Sequence, residues 1–199
     1  MDITDLIEIS EIINKELIFV NQLYNRLDLR THLFASEYGI TCPSGCGSCC
    51  QNYEPEISSA EANYAAAWII KSNAGLSSLF KNISERKTCI FFNPQSPDHC
   101  MIYNARPLMC RAFGFSGVKD KYGNHKYKTC GLMEVKKNLT GSYIPIMAEE
   151  GITLLNNCTG MEETLPVSEA VDKAWQKLSF LILFSELDDN SGLHPRVTS

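Results

Sequence analysis

Apolar residues recur at three- and four-residue steps from Asp5 to about Asp28, at Leu6, Ile9, Ile12, Ile13, Leu17, Val20, Leu23 and Leu27. Side chains at such steps fall on one face of a helix, so the pattern predicts a long amphipathic helix. That stripe serves core packing, and it would equally serve a partner helix or a dimer seam. Leu29 to Ile40 predicts a further short helix leading into a cysteine-rich loop. After the loop, Ser58-Ser59-Ala60-Glu61 has the form of a capping box, in which serine and glutamate side chains satisfy the free amides of a helix start. The alanine-rich run behind it carries that helix to about Ser72, and Gly75 breaks the pattern. Ser77 or Ser78 then caps another helix running to about Arg86.

Cys89-Ile-Phe-Phe and Cys100-Met-Ile-Tyr are β-prone runs separated by Asn93 to His99, which predicts a hairpin whose strands each begin with a thiol. Proline is tolerated in the first turn of a helix, so Pro107 predicts a helix with Cys110 about one turn in. Gly114 to Gly131 is glycine-spaced and basic, the form of a loop or irregular hairpin. Val167 to Leu187 is helical again, with Val171, Ala174, Trp175, Leu178 and Ile182 on one side, and Asp188 to Ser199 reads as a polar tail. The expected fold is mainly α with a small β-hairpin (α+β), a compact cysteine-cluster domain of packed amphipathic helices. Residues 1–199 are read as one domain: an N-terminal helical region at 1–40, a cysteine core at 41–131, and a C-terminal helical region with its tail at 132–199.

Composition changes this picture at one point only. An apolar share of 44% suits a globular core, but nine cysteines in 199 residues exceed what packing needs in a reduced protein. The N-terminus is acidic where a secretory signal would be basic, so a reducing, cytoplasmic setting is expected and disulfides are not. A net charge of −5 without a continuous basic stripe argues against a nucleic-acid partner. The longest apolar run, Leu178 to Phe184, falls far short of the ~20 residues of a membrane span.

The chemistry therefore rests on sulfur. Thr41 to Gln51 places Cys42, Cys46, Cys49 and Cys50 within nine residues, with Gly45 and Gly47 between them. Glycine lets a chain wrap tightly, so these thiolates can converge on a soft metal. Cys89, Cys100, Cys110 and Cys130 complete eight candidate ligands, enough for two four-coordinate sites or for one iron–sulfur cluster with sulfur to spare. On extended backbone, adjacent side chains point to opposite sides, so Cys49 and Cys50 are expected to serve different sites. Cys158 stands apart from the pattern. His99 and His125 are alternative ligands, whereas His32 and His194 have no ligand-like neighbours. Arg106 and Arg111 bracket Cys110 and could donate hydrogen bonds toward thiolate sulfur. Tyr103 could pack over the site or act in a reaction. No hydrolase, Walker, zincin or dinucleotide motif is present.

Cys42, Cys46, Cys49 and Cys50, followed by Cys89-Ile-Phe-Phe, Cys100-Met-Ile-Tyr and Tyr103-Asn-Ala-Arg106-Pro107-Leu-Met-Cys110-Arg111, resemble the YkgJ-type cysteine-cluster family over about Cys42 to Cys130. The resemblance implies a zinc- or iron-chelating domain holding an iron–sulfur cluster, iron or zinc, with a role in redox, sensing or metal handling. The family is similar to the cysteine-rich part of flagellin lysine N-methylases, which implies cluster-dependent protein lysine methylation as an alternative. A structural zinc scaffold that engages a protein partner is the other alternative. Cys42-x3-Cys46-x2-Cys49 also has the spacing of radical S-adenosylmethionine enzymes, but the repeated strand–helix units of their barrel are missing.

Overall fold

The computed structural model describes residues 3–43, 46–51, 53–72, 80, 88–95, 98–127, 130–137, 146–147, 153–156 and 164–191. Residues 3–9, 118–119, 125–126, 146–147 and 185–191 are described as backbone alone. The helix expected from Ser77 or Ser78 to Arg86, except for Phe80, lies outside the described residues, as do Cys158, His194 and the side chain of His125.

The first helix, α1, runs unbroken over Ile3–Tyr38, so the separate short helix expected at Leu29 to Ile40 is corrected to a continuation of α1. Neither Gly nor Pro occurs within it, and nothing interrupts its main-chain hydrogen bonds. It stops at Gly39, whose φ of +62° turns the chain out of the helix without a Cβ clash. Ile13, Val20, Leu23, Tyr24, Leu27, Thr31 and Phe34 are buried, which extends the expected stripe toward the helix end. Ile12, assigned to that stripe, is instead 49% exposed, and Leu29 and Leu33 also face outward.

Helix α3 (Ser59–Ser72) lies between α1 and the C-terminal helix α5 (Val167–Ser191). Ala60, Ala62, Ala65 and Ala66 are all buried, and their small side chains let helices approach α3 from two sides. One apolar cluster joins Ile13, α3 and Val167 to Leu178 of α5 with Ile90, Phe91 and Ile102; a second joins Val20 to Leu27 of α1 with Ala60, Leu108 and Ala112. Phe80 reaches the first cluster, 6.4 Å from Phe91 and 6.0 Å from Trp175 between ring centroids. The last helix extends past Leu187, so Asp188–Ser191 of the expected tail are helical.

The strands are short. β1 (Ile40–Thr41) pairs antiparallel with β5 (Glu134–Val135), and β2 (Glu56–Ile57) with β7 (Leu165–Pro166). β3 (Ser116–Lys119) pairs antiparallel with β4 (His125–Tyr127) and parallel with β6 (Ile146–Met147), so the hairpin expected in Gly114 to Gly131 is present. The hairpin expected at Cys89 and Cys100 shrinks to a single bridge, Phe92 to Cys100, followed by a 3-10 turn at Tyr103–Ala105. A strand sends neighbouring side chains to opposite faces, whereas Cys89, Ile90 and Phe91 are all buried, which a turn permits. The fold is mainly helical with small sheets, as the sequence predicts. Among the described residues no helix is long and apolar enough to cross a membrane.

Candidate metal centre

Each cysteine reaches the site by a different device. Pairing of Thr41 with Glu134 brings Cys42, next in sequence, toward the Cys130–Met133 turn. Cys49 and Cys50 lie on α2 (Ser48–Gln51), one helical turn opened by hydrogen bonds from the Cys50 and Gln51 amides to the Gly47 carbonyl, at 2.9 and 3.2 Å. The Cys89 amide donates to the Cys50 carbonyl at 3.2 Å, tying the loop to the Phe92–Cys100 bridge. Cys110 sits on α4 (Leu108–Ala112), which Pro107 caps as its position predicts.

These segments enclose one cavity of about 190 Å³. Seven candidate ligands line it: Cys42, Cys46, Cys49, Cys50, Cys89, Cys100 and Cys110. Cys130 is half-buried at its edge and acts electrostatically on Cys42. The remaining wall is largely apolar, with Tyr53, Phe113, Phe115, Met109 and Met133. Among the described residues no three His, Cys, Asp or Glu side chains are drawn close enough to hold a metal ion as they stand. Cys49 Sγ and Cys50 Sγ are nonetheless 3.9 Å apart. That is near the ~3.8 Å edge of a tetrahedron built on ~2.3 Å metal–sulfur bonds. The separation of these two thiols to different sites rested on extended backbone; the backbone is helical, and the sulfurs come together.

Burial sets the protonation of the thiols. It pushes Cys89 up to about 12 and Cys110 up to about 12, the latter helped by the nearby Cys89 and Cys100. Cys42 rises to about 11 through burial and then through Cys46 beside it. Cys100 is raised by burial, although a main-chain hydrogen bond and the positive Arg106 pull it partly back. Cys49 and Cys50 share a proton: the hydrogen bond from Cys50 lowers Cys49, and the same bond raises Cys50. A soft cation would replace these protons, and an all-sulfur donor set fits zinc or iron.

The arginines do something other than bind sulfur. Arg111, 4% exposed, donates to Asp28 of α1, to the Arg106 carbonyl at 2.8 Å and to the Asn104 carbonyl at 2.6 Å, and lies 4.1 Å over the Tyr24 ring. Arg106 donates to Asp28 at 3.4 Å and stacks 4.0 Å over Tyr103. Between them they anchor α4 to α1. Tyr103 is 40% exposed at the cavity rim, and its ring carries the Arg106 guanidinium.

Sequence reasoning missed Asp28, and for Glu61 it found the capping role but not the distant partners. Glu61 does complete the capping box, accepting from the Ser58 amide and hydroxyl at 3.1 Å each. Its other carboxylate oxygen accepts from Tyr24 Oη at 3.0 Å and from the Leu108 amide at 2.8 Å, so one buried carboxylate starts α3 and also fixes the first turn of α4, which carries Cys110. The capping signature marked the residue, but nothing local marked its distant partners. Burial, and then the Glu61 carboxylate, hold the Tyr24 hydroxyl well above the ordinary tyrosine range. His32 lies exposed on α1, and His99 packs outside the cavity against Gly47 and Phe92.

A helical scaffold thus presents seven thiols to one cavity. Residues 41–131 match the family model CxxCxxCC, described as "Putative zinc- or iron-chelating domain". The match coincides with the stretch that carries the cysteine motifs and spans the cysteine core, leaving α1 and α5 outside. No curated protein and no solved structure matches the chain.

Proposed function

We propose that the chain is a cytoplasmic metal-binding protein that holds an iron–sulfur cluster, iron or zinc through Cys42, Cys46, Cys49, Cys50, Cys89, Cys100, Cys110 and Cys130, for redox, sensing or metal handling. The observation that carries this is the gathering of seven thiols, from the loop, the Phe92–Cys100 bridge and α4, around one cavity. Seven sulfurs exceed the four ligands of one tetrahedral ion, which favours a cluster or a second ion over a lone zinc. When bound, the metal supplies positive charge and, if iron, electron transfer. The chain supplies sulfur, the rigid placement of α4 through Glu61 and Asp28, and apolar walls that limit water.

Anaerobic purification with elemental analysis and absorption spectroscopy tests the reading. Iron with absorption near ~400 nm supports a cluster. Zinc in a colourless protein turns the reading toward a structural ion. Cys46→Ser and Cys110→Ser are expected to lose metal, and Cys158→Ser to keep it. Full metal content in both of the first two variants overturns the ligand assignment.

A further inference from the structure

His99 is the one described residue other than glycine with positive φ, +51°. Its Nδ1 is the one buried side-chain nitrogen or oxygen among the described residues without a hydrogen-bond partner. A left-handed backbone and an unpaired buried acceptor or donor each destabilise a fold, so their coincidence in one residue calls for a reason. The side chain is held by Phe92, edge to face at 5.9 Å between centroids, and both rings press on Gly47. A Cβ on Gly47 would come within 2.8 Å of His99 Nδ1 and 2.3 Å of Phe92 Cε2. Gly47 lies between Cys46 and Cys49, so the orphaned nitrogen abuts the main chain of the cysteine loop. Simple packing does not require it, since an apolar ring would fill the space with no polar atom to desolvate.

We infer that His99 is a positioning residue for the metal centre: Nδ1 accepts a hydrogen bond from a main-chain N–H of the Gly47–Ser48 segment when metal draws the loop in. This rests on the metal-binding reading above. In the metal-free protein Nδ1 is unpaired and destabilising; in the metal-loaded protein it is paired and holds Cys46 and Cys49 in place.

The test titrates Zn²⁺ and Co²⁺ into reduced, metal-free protein against a chromophoric chelator, for wild type, His99→Phe and His99→Asn, with thermal unfolding of each metal-free protein. Phe keeps a ring and removes the nitrogen; Asn tolerates left-handed φ and keeps a polar atom at the Nδ1 position. His99→Phe should bind about tenfold more weakly or worse. It should shift the sulfur-to-cobalt charge-transfer band while leaving metal-free unfolding at or above the wild-type temperature, and His99→Asn should restore affinity and band. Wild-type affinity in His99→Phe overturns the inference. So does loss of metal-free stability in step with affinity, which would mark plain packing. Wild-type protein that binds neither ion, and takes up no iron on anaerobic reconstitution with ferrous iron and sulfide, instead overturns the metal-binding reading itself.

Discussion

The helical framework and the cysteine cavity treat buried polar groups in opposite ways. In the framework Glu61, 5% exposed, has hydrogen-bond donors on both carboxylate oxygens, and Arg111 is paired with Asp28 and two carbonyls. Around the cavity Cys89 and Cys110 are kept protonated by burial, and His99 Nδ1 has no partner. A region whose polar groups satisfy one another is stable by itself. One whose groups are left to crowd together calls for completion from outside, which in the proposed function is a cation.

Breaking the framework should have the largest effect. Glu61→Ala leaves the Tyr24 hydroxyl and the Leu108 and Ser58 amides without their acceptor, and roughly 3–5 kcal/mol of stability should be lost, read by chemical denaturation of the metal-free protein. Glu61→Gln should recover part of it. A metal-free Glu61→Ala protein as stable as wild type would sink the claim that this carboxylate ties α3 to α4.

Metal removal tests the other half of the contrast. Chelation should lower the unfolding temperature of wild type, and a ligand at ~1,000 times its Kd contributes about 4 kcal/mol. Cys110→Ser should abolish most of that difference while changing metal-free stability by less than about 1 kcal/mol, since the site's energy resides in the metal–sulfur bonds. Equal losses with and without metal would mean that the thiol acts in packing.

The pH dependence should be smaller, and opposite in sign for the two forms. Cys89 and Cys110 titrate at about 12 when folded against an ordinary 9.0. Between those values the unfolded chain has released protons that the folded chain still holds, so metal-free stability is full below about pH 9 and falls as pH rises toward 12. Metal affinity should instead rise with pH, because each thiol must lose its proton to ligate. Calorimetry in buffers of differing ionisation enthalpy counts those protons, and zero released at pH 7 would contradict neutral thiols.

Much of the framework was legible in the chain because its causes are local. The α1 stripe, the Ser58–Glu61 capping box, Pro107 ahead of α4 and the apolar side of α5 are each written in neighbouring residues, and each is found except that Ile12 of α1 and Ile182 of α5, assigned to those apolar faces, are exposed. The misreadings occurred where a longer-range force competed. Leu29 to Tyr38 weakens the apolar pattern yet remains helical, since nothing before Gly39 breaks the ladder and Phe34 is held by Tyr127 at 5.3 Å. Cys89 to Phe91 has strand-like composition, but the core takes all three side chains and the strand is lost.

From the sequence alone came the soft-ligand chemistry, the list of eight thiols and the resemblance to a cysteine-cluster family, because sulfur content and short spacings are properties of the chain itself. Only the tertiary structure decided that seven of them face one cavity, that the Cys49 and Cys50 sulfurs lie 3.9 Å apart, that the two arginines brace α4, and that His99 presses on the loop. Those outcomes depend on contacts between residues many positions apart, such as Thr41 with Glu134 and Glu61 with Leu108. No local pattern encodes such contacts, because they are settled by how the packed helices and short strands close on one another.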